Sequence, residues 1–222
     1  MLSLAIVVGN LALVFTIINY GSGVQICRKI YQQGTTSDIS PLPFLTGVLC
    51  TFIWLEYGIR KPDNIVAFVN LVGLLQQASF LICFYKYTKN KETLHMKLGL
   101  LLSALLLVHC SVTYYVESNA LSVKLLGFLG AGAALTFFAS PLASLAQVVK
   151  TKSVESLPFP LILSSFTVST LWAFYGVLCD DAFIYSPNSV ASIITACQLG
   201  LFLIYPSKTV RACLSEQSLF VA

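Results

Sequence analysis

The chain has 222 residues, of which 57% are apolar and 10% charged, with a mean hydropathy of +0.83 and a net charge of +4. Soluble domains carry about 25% charged residues, so this chain lacks the polar skin of a water-soluble fold, and lipid must solvate much of its surface. Its basic residues sit in short stretches between apolar runs, which argues against a nucleic-acid partner.

Taken in chain order, charges punctuate seven apolar runs of helix-spanning length, and these predict spans at Leu4–Cys27, Pro41–Ile59, Ile65–Tyr85, Leu98–Val116, Val123–Val148, Leu157–Leu178 and Phe183–Tyr205. The first run has no basic stretch before it and no small-residue cleavage site after it, so it is expected to remain in the mature protein. Seven spans put the termini on opposite sides of the bilayer. On one side lie Arg28, Lys29, Lys86, Lys89, Lys91, Lys97, Lys150, Lys152, Lys208 and Arg211; on the other lie Arg60, Lys61 and Lys124. The excess of positive charge makes the C-terminal side cytosolic and the N-terminus extracellular or lumenal. Cys27, Cys50, Cys83, Cys110, Cys179, Cys197 and Cys213 form neither a CxxC pair nor a His/Cys cluster, so they are expected to pack as small apolar residues, with no metal or cofactor to hold.

The first and last thirds repeat. Trp54-x-x-Tyr57-Gly58 recurs as Trp172-x-x-Tyr175-Gly176, and Asn70 recurs as Asn188, both 118 residues on. Ser22-Gly23 matches Ser140-Pro141, and Tyr87 matches Tyr205, at the same offset. The register slips once, because Pro43 matches Pro158 at 115. The offset crosses four spans, an even number, so both copies enter the membrane in the same direction. The expected fold is therefore all-α: two parallel triple-helix bundles, residues 4–87 and 123–206, joined by linker helix 4 within 88–122, with a cytosolic tail at 207–222.

The matched residues suggest a chemistry. Cys50, Trp54 and Tyr57 share one face of span 2, as Val168, Trp172 and Tyr175 share one face of span 6. A membrane tryptophan serves either as an interfacial anchor or as a ligand contact, and both of these lie deeper than a belt residue usually does. Asn70 and Asn188 either bond across helices as glue or line a wet cavity, since an unpaired amide in hydrocarbon costs about 1–3 kcal/mol or more. Amides that face each other under pseudo-symmetry, flanked by two indoles, suit a neutral polyhydroxylated ligand. Glu56, Asp180 and Asp181 fall near span ends, and His109 is the one ionisable group expected at mid-membrane, where packing is its simplest role. A carrier coupled to protons usually keeps an ionisable group in the membrane, so passive carriage is the simpler mechanism. Pro43, Pro141 and Pro158 lie towards the cytosolic ends of spans 2, 5 and 6; each either kinks its helix as a hinge or, for Pro43 and Pro158, begins it. No Ser/His pair, aspartate pair or HExxH lies within the spans, so the chain does not read as an enzyme.

Together Ser140-Pro141-Leu142, Thr151-Lys152-Ser153-Val154-Glu155, Leu157-Pro158-Phe159, Trp172-x-x-Tyr175-Gly176 and Pro187-Asn188 resemble the SWEET sugar transporters, of an animal type. The first copy offers Pro43-Phe44, Trp54-x-x-Tyr57-Gly58 and Asn70-x-x-Gly73. The resemblance implies facilitated, bidirectional uniport of mono- or disaccharides across the plasma membrane or the Golgi membrane, by one chain or a homo-oligomer. It puts substrate contacts at Asn70, Asn188, Trp54 and Trp172, with Cys50 and Val168 tuning pocket size. It implies an extracellular gate of Tyr57 with Asp181, and a hinge and cytosolic gate at Pro43, Pro141, Pro158 and Gly23. Gly23 stands where a proline is expected, and Ala191 where Asn-x-x-Gly would give glycine. The competing expectations are a PQ-loop-type carrier moving amino acids with protons, and a membrane scaffold that transports nothing.

Overall fold

The structure is a computed structural model, and it describes residues 2–136 and 139–205. Lys208, Arg211, Cys213 and the tail expected at 207–222 lie outside the described residues. All the secondary structure described is helical. The elements are α1 (Leu2–Tyr20), α2 (Ser22–Gln33), α3 (Leu42–Arg60), α4 (Asn64–Tyr87), α5 (Lys91–Cys110) continued by a π-helical turn (Ser111–Tyr115), α6 (Asn119–Thr136), α7 (Ala139–Thr151), α8 (Phe159–Leu178) and α9 (Ala182–Ile204). Seven helical stretches are long and apolar enough to cross a membrane. They answer the seven expected spans, with two internal features that hydropathy does not reveal.

The first span is broken. The helix turns at Gly21 and then continues to Gln33, well beyond the expected end at Cys27. At the turn the bonds shorten to three-residue spacing, with Gly21 N–H donating to the Ile18 carbonyl at 3.0 Å and Val24 N–H to the Gly21 carbonyl at 3.1 Å. The chain thus bends at Gly21 rather than at Gly23. A Cβ on Gly23 would fall 2.2 Å from the Phe80 ring, so that glycine serves close packing between α2 and α4. The second feature is α5, which packs one face, Leu94, Leu98, Leu101 and Leu105, on the apolar cluster and leaves Leu100, Leu102, Leu106 and Leu107 exposed. These exposed leucines suit a surface covered by lipid tails.

Contacts divide the chain into two compact units, Met1–Ala133 and Ala134–Ala222. In the first unit, α4 packs on α1, α2 and α3, and α5 packs on α3. Ile30, Phe44, Phe80 and Phe84 form the centre of an apolar cluster here, Phe44 meeting the rings of Phe80 and Phe84 at 5.9 and 6.2 Å. The N-terminal part of α6 belongs to this unit, tied by Asn119 Nδ2 donating to the Arg60 carbonyl at 2.9 Å and Ser122 Oγ to the Val112 carbonyl at 3.1 Å. In the second unit, α8 and α9 form the main pair, with α7 against α9. Val148, Val154, Leu157, Ile162 and Leu201 make its buried apolar cluster.

In lipid no hydrophobic force draws helices together, so close backbone approach through small residues must supply the packing. Gly58 and Gly176 do this. A Cβ on Gly58 would lie 2.6 Å from Ala67 N, and one on Gly176 would lie 2.5 Å from Tyr185 N. The obstructing atoms are backbone, 118 residues apart like the glycines themselves, and cannot swing away. The glycine of each Trp-x-x-Tyr-Gly run therefore lets its helix touch the next.

Candidate functional site

That close crossing begins a module that the chain builds twice. After Gly58 the chain reverses, and Asp63 N–H returns to the Gly58 carbonyl at 2.8 Å; Asp181 N–H makes the same return to Gly176 at 2.8 Å. Each aspartate then caps the following helix. Asp63 Oδ1 accepts from Ile65 N–H at 3.1 Å and Val66 N–H at 3.0 Å. Asp181 Oδ1 accepts from Phe183 N–H at 3.0 Å and Ile184 N–H at 3.3 Å. These bonds satisfy amides that the first turn of a helix leaves without partners. One turn further on come the asparagines. Asn70 Nδ2 donates to the Val66 carbonyl and Asn188 Nδ2 to the Ile184 carbonyl, both at 2.8 Å.

The tryptophans stand on the preceding helices in matching poses. Trp54 meets Tyr57 edge to face at 5.3 Å and 76°, and Trp172 meets Tyr175 at 5.5 Å and 87°. The indole of Trp54 lies against the backbone of Gly130 in α6, where a Cβ would come within 2.8 Å of it. Asn70, Asn188, Trp54, Trp172, Cys50 and Val168 are all half-buried, neither sealed into a helix–helix core nor fully exposed. The first three candidates of each copy thus keep one helical hairpin's arrangement: indole on the first helix, amide on the second, and Cys50 or Val168 one turn before the indole. Tyr57 and Asp181 differ from these in being fully or almost fully buried, at 0% and 2% exposure. Tyr57 lies in the first unit, with Lys61 Nζ 5.7 Å from its ring centre, and Asp181 in the second.

Pro43 and Pro158 stand at helix starts. Pro43 is the second residue of α3, and Pro158 is the cap that precedes α8. A proline at a helix start removes no internal hydrogen bond, so of the two expectations for Pro43 and Pro158 the helix-start reading describes them. Pro141 falls within the fifth apolar helical stretch, Asn119–Thr151, and its carbonyl accepts from Gln198 Nε2 at 3.3 Å. In the first copy Gln76 Nε2 donates to the Tyr20 carbonyl at 2.7 Å, beside the Gly21 turn. A glutamine from the third helix of each bundle thus reaches a carbonyl in the first. Pro187, by contrast, lies inside α9 immediately before Asn188, where it has no N–H to give the carbonyl four residues back.

His109 is paired rather than isolated. It lies near the end of the fourth span, with Nδ1 2.8 Å from Glu56 Oε1, while the other Glu56 oxygen is 3.3 Å from Arg60 Nη2. Arg60 Nη2 also donates to Thr113 Oγ1 at 2.8 Å. This polar cluster fastens α5 and its π turn to the end of α3.

Several of these residues are absent from the sequence-based expectations: Asp63, Gln76, Gln198 and the Thr170–Ser192 hydroxyl pair, whose oxygens are 2.7 Å apart between α8 and α9. The signal for Asp63 was in plain view, since it precedes Asp181 by the same 118 residues. Thr170 and Ser192 correspond at that offset to Phe52 and Leu74, so this hydroxyl pair is peculiar to the second copy, and no repeat could have revealed it.

The family model for a sugar efflux transporter for intercellular exchange matches residues 6–92 and 124–210, one copy on each half of the duplication. Among similar proteins, the sugar transporter SWEET1 of Drosophila pseudoobscura pseudoobscura is 34% identical over 199 residues, covering 89% of this chain and 88% of that protein. The sugar transporter SWEET1 of Mus musculus is 30% identical, covering 89% of each. The bidirectional sugar transporter SWEET2 of Arabidopsis thaliana is 33% identical, covering 83% of this chain and 80% of that one. A solved structure of a eukaryotic SWEET transporter superposes with a TM-score of 0.82 at 30% identity, over 90% of this chain and 96% of the other.

Proposed function

The chain belongs to the SWEET family of sugar transporters, and from that premise we propose that it is a facilitative, bidirectional uniporter of a glucose-like mono- or disaccharide, working by alternating access. The observation that carries the proposal is the duplicated asparagine. One amide hydrogen of Asn70 and of Asn188 is spent on the carbonyl one turn back, which fixes each side chain's rotamer. The other hydrogen and the carbonyl oxygen have no partner among the described residues. One donor and one acceptor on a pinned amide match a sugar's paired hydroxyls, each of which can accept and donate.

Trp54 and Trp172 supply apolar faces for the C–H side of a sugar ring, and Cys50 and Val168, one turn before them, limit its size. The modest bulk of those two residues agrees with a monosaccharide. Neutral amides and indoles suit an uncharged substrate that moves down its own gradient. Tyr57 and Asp181 form the gate on the extracytoplasmic side. Opening on the opposite side pivots at the helix starts marked by Pro43 and Pro158, at Pro141 and at the Gly21–Gly23 segment. The copies 4–87 and 123–206 move as bundles, with 88–122 as the linker. The excess of basic residues around Lys86–Lys97 and Lys150–Lys152 supports a cytosolic C-terminal side, in the plasma membrane or the Golgi.

A transport assay in cells that lack their own hexose uptake tests this. Saturable uptake of at least one neutral sugar is expected from a panel of hexoses, pentoses and disaccharides. Uptake of amino acids that requires an inward proton gradient, with no sugar uptake, would favour a PQ-loop-type amino-acid carrier instead. Normal membrane insertion with neither activity would favour a scaffold.

A further inference from the structure

Away from the sugar residues, on the basic side of the membrane, the first unit holds a small cavity of about 260 Å³ between the α2–α3 connection and the α4–α5 corner. Its polar lining is Thr35, Ser37, Asn90 and Thr93, together with Lys89 and Lys97. Phe84, Ile39 and Leu94 form its apolar floor. The walls are held by bonds of their own. Thr36 Oγ1 donates to Thr88 Oγ1 at 3.0 Å and joins the α2–α3 connection to the end of α4, while Asn90 Oδ1 caps α5 by accepting from Thr93 N–H at 3.2 Å. Lys86 and Lys91, the other lysines of this corner, sit over the rings of Tyr87 and Tyr85 at 5.7 and 4.8 Å and do not line the cavity.

Four physical facts point to one kind of occupant. Neither Lys89 nor Lys97 has a carboxylate within ion-pair distance among the described residues, although Asp38 and Glu92 lie nearby in sequence. Two cations gathered at one cavity without counter-charge repel each other, and an anion relieves that repulsion. The hydroxyls and the Asn90 amide supply donors that a phosphate's oxygens can accept, and the N-terminus of α5 adds a positive dipole end. The volume is below the roughly 300–1,000 Å³ of sites that hold drug-sized ligands, which limits the occupant to a single small group. The cavity lies where the fourth apolar span, Lys91–Tyr115, begins, and lysines at the end of a span attract anionic headgroups.

We propose that this cavity binds a phosphate monoester, carried by the headgroup of an anionic phospholipid such as a phosphorylated inositol lipid. The proposal needs only that the chain spans a membrane and does not depend on the transport reading. A soluble phosphorylated sugar or polyol offers the same chemistry, and the experiment separates the two sources.

The test uses the purified full-length protein and a fluorescent, short-chain phosphatidylinositol 4,5-bisphosphate, with binding followed by polarisation. Saturable binding is expected, weakening about 10- to 30-fold in the K89Q/K97Q double variant, from about tenfold-scale losses expected of two surface lysines near a phosphate. The K86Q/K91Q double variant removes the same charge from the same corner and should change affinity by no more than about threefold. All four lysines are exposed, so unaltered melting temperatures are expected and would confirm that folding is intact. Competition by inositol 1,4,5-trisphosphate at the same concentration as by the lipid would assign the site to soluble phosphates, and competition only by acyl-bearing phosphoinositides would assign it to lipid. Absence of saturable binding, or equal weakening by the two double variants, would overturn the proposal.

Discussion

Asn70 and Asn188 make the same hydrogen bond, each giving one amide hydrogen to the carbonyl four residues back at 2.8 Å. The equivalence extends to what precedes them: an aspartate cap one to two turns earlier, a glycine at the helix crossing, and an edge-to-face Trp–Tyr pair. Two copies that preserve both the side chain and its orientation are hard to attribute to packing alone, because a helix-internal bond adds no glue between helices.

Replacing either asparagine tests its share in substrate binding. Asn70→Ala and Asn188→Ala each remove up to two bonds to sugar, and at about 0.5–1.5 kcal/mol per bond sugar flux should fall about 5- to 150-fold. Surface expression and melting temperature should change little, since the lost intrahelical bond is local. Flux measured in proteoliposomes from matched amounts of protein checks this, and unaltered flux in both variants would remove the pair from the site.

The glycines of the two Trp-x-x-Tyr-Gly runs carry a structural demand instead. Gly58→Ala and Gly176→Ala place a methyl against backbone nitrogen at 2.6 and 2.5 Å, so each should destabilise its hairpin by about 1–3 kcal/mol. Thermal unfolding in detergent should show a lower midpoint for both. An unchanged midpoint would mean that the helices separate without cost.

Asp63 and Asp181 separate capping from gating. Alanine at either position should cost about 0.5–2 kcal/mol of stability through the lost cap, while asparagine, itself a good cap, should restore it. If Asp181 also gates, Asp181→Asn alters sugar flux and Asp63→Asn does not, although both proteins remain stable. Equal flux in the two asparagine variants would leave Asp181 a cap only.

Gly23 is best examined together with Phe80. A methyl at position 23 would meet the Phe80 ring, and that ring is held by Phe44 at 5.9 Å, so Gly23→Ala should lower the melting temperature. Shortening the obstruction with Phe80→Leu should recover part of the loss in the double variant, since contacting residues do not add independently. Strict additivity of the two changes would show that the pair does not interact.

The seven spans and their duplication were legible in the sequence because charge spacing and a rare residue, tryptophan, report on them directly. Asn70 and Asn188 were legible for the same reason: an amide deep in a hydrocarbon run is conspicuous. What escaped depends on contacts between distant residues. Gly58 reads as an ordinary small residue until Ala67 is packed against it, and Glu56 pairs with His109 across 53 positions. The turn at Gly21 and the close packing at Gly23 escaped because a glycine that permits a turn and one that admits a neighbouring ring look alike in a string of letters. Asp63 was overlooked because a carboxylate in a short loop needs no explanation until its cap is seen twice.

Passive carriage of sugar is the central claim, and equilibration in proteoliposomes tests it most directly. Purified protein in sealed vesicles should bring labelled glucose, or whichever sugar the panel selects, to equal concentrations inside and out, at a rate unaffected by imposing or collapsing a proton gradient. Accumulation of sugar above the external concentration when the gradient is applied would contradict the account.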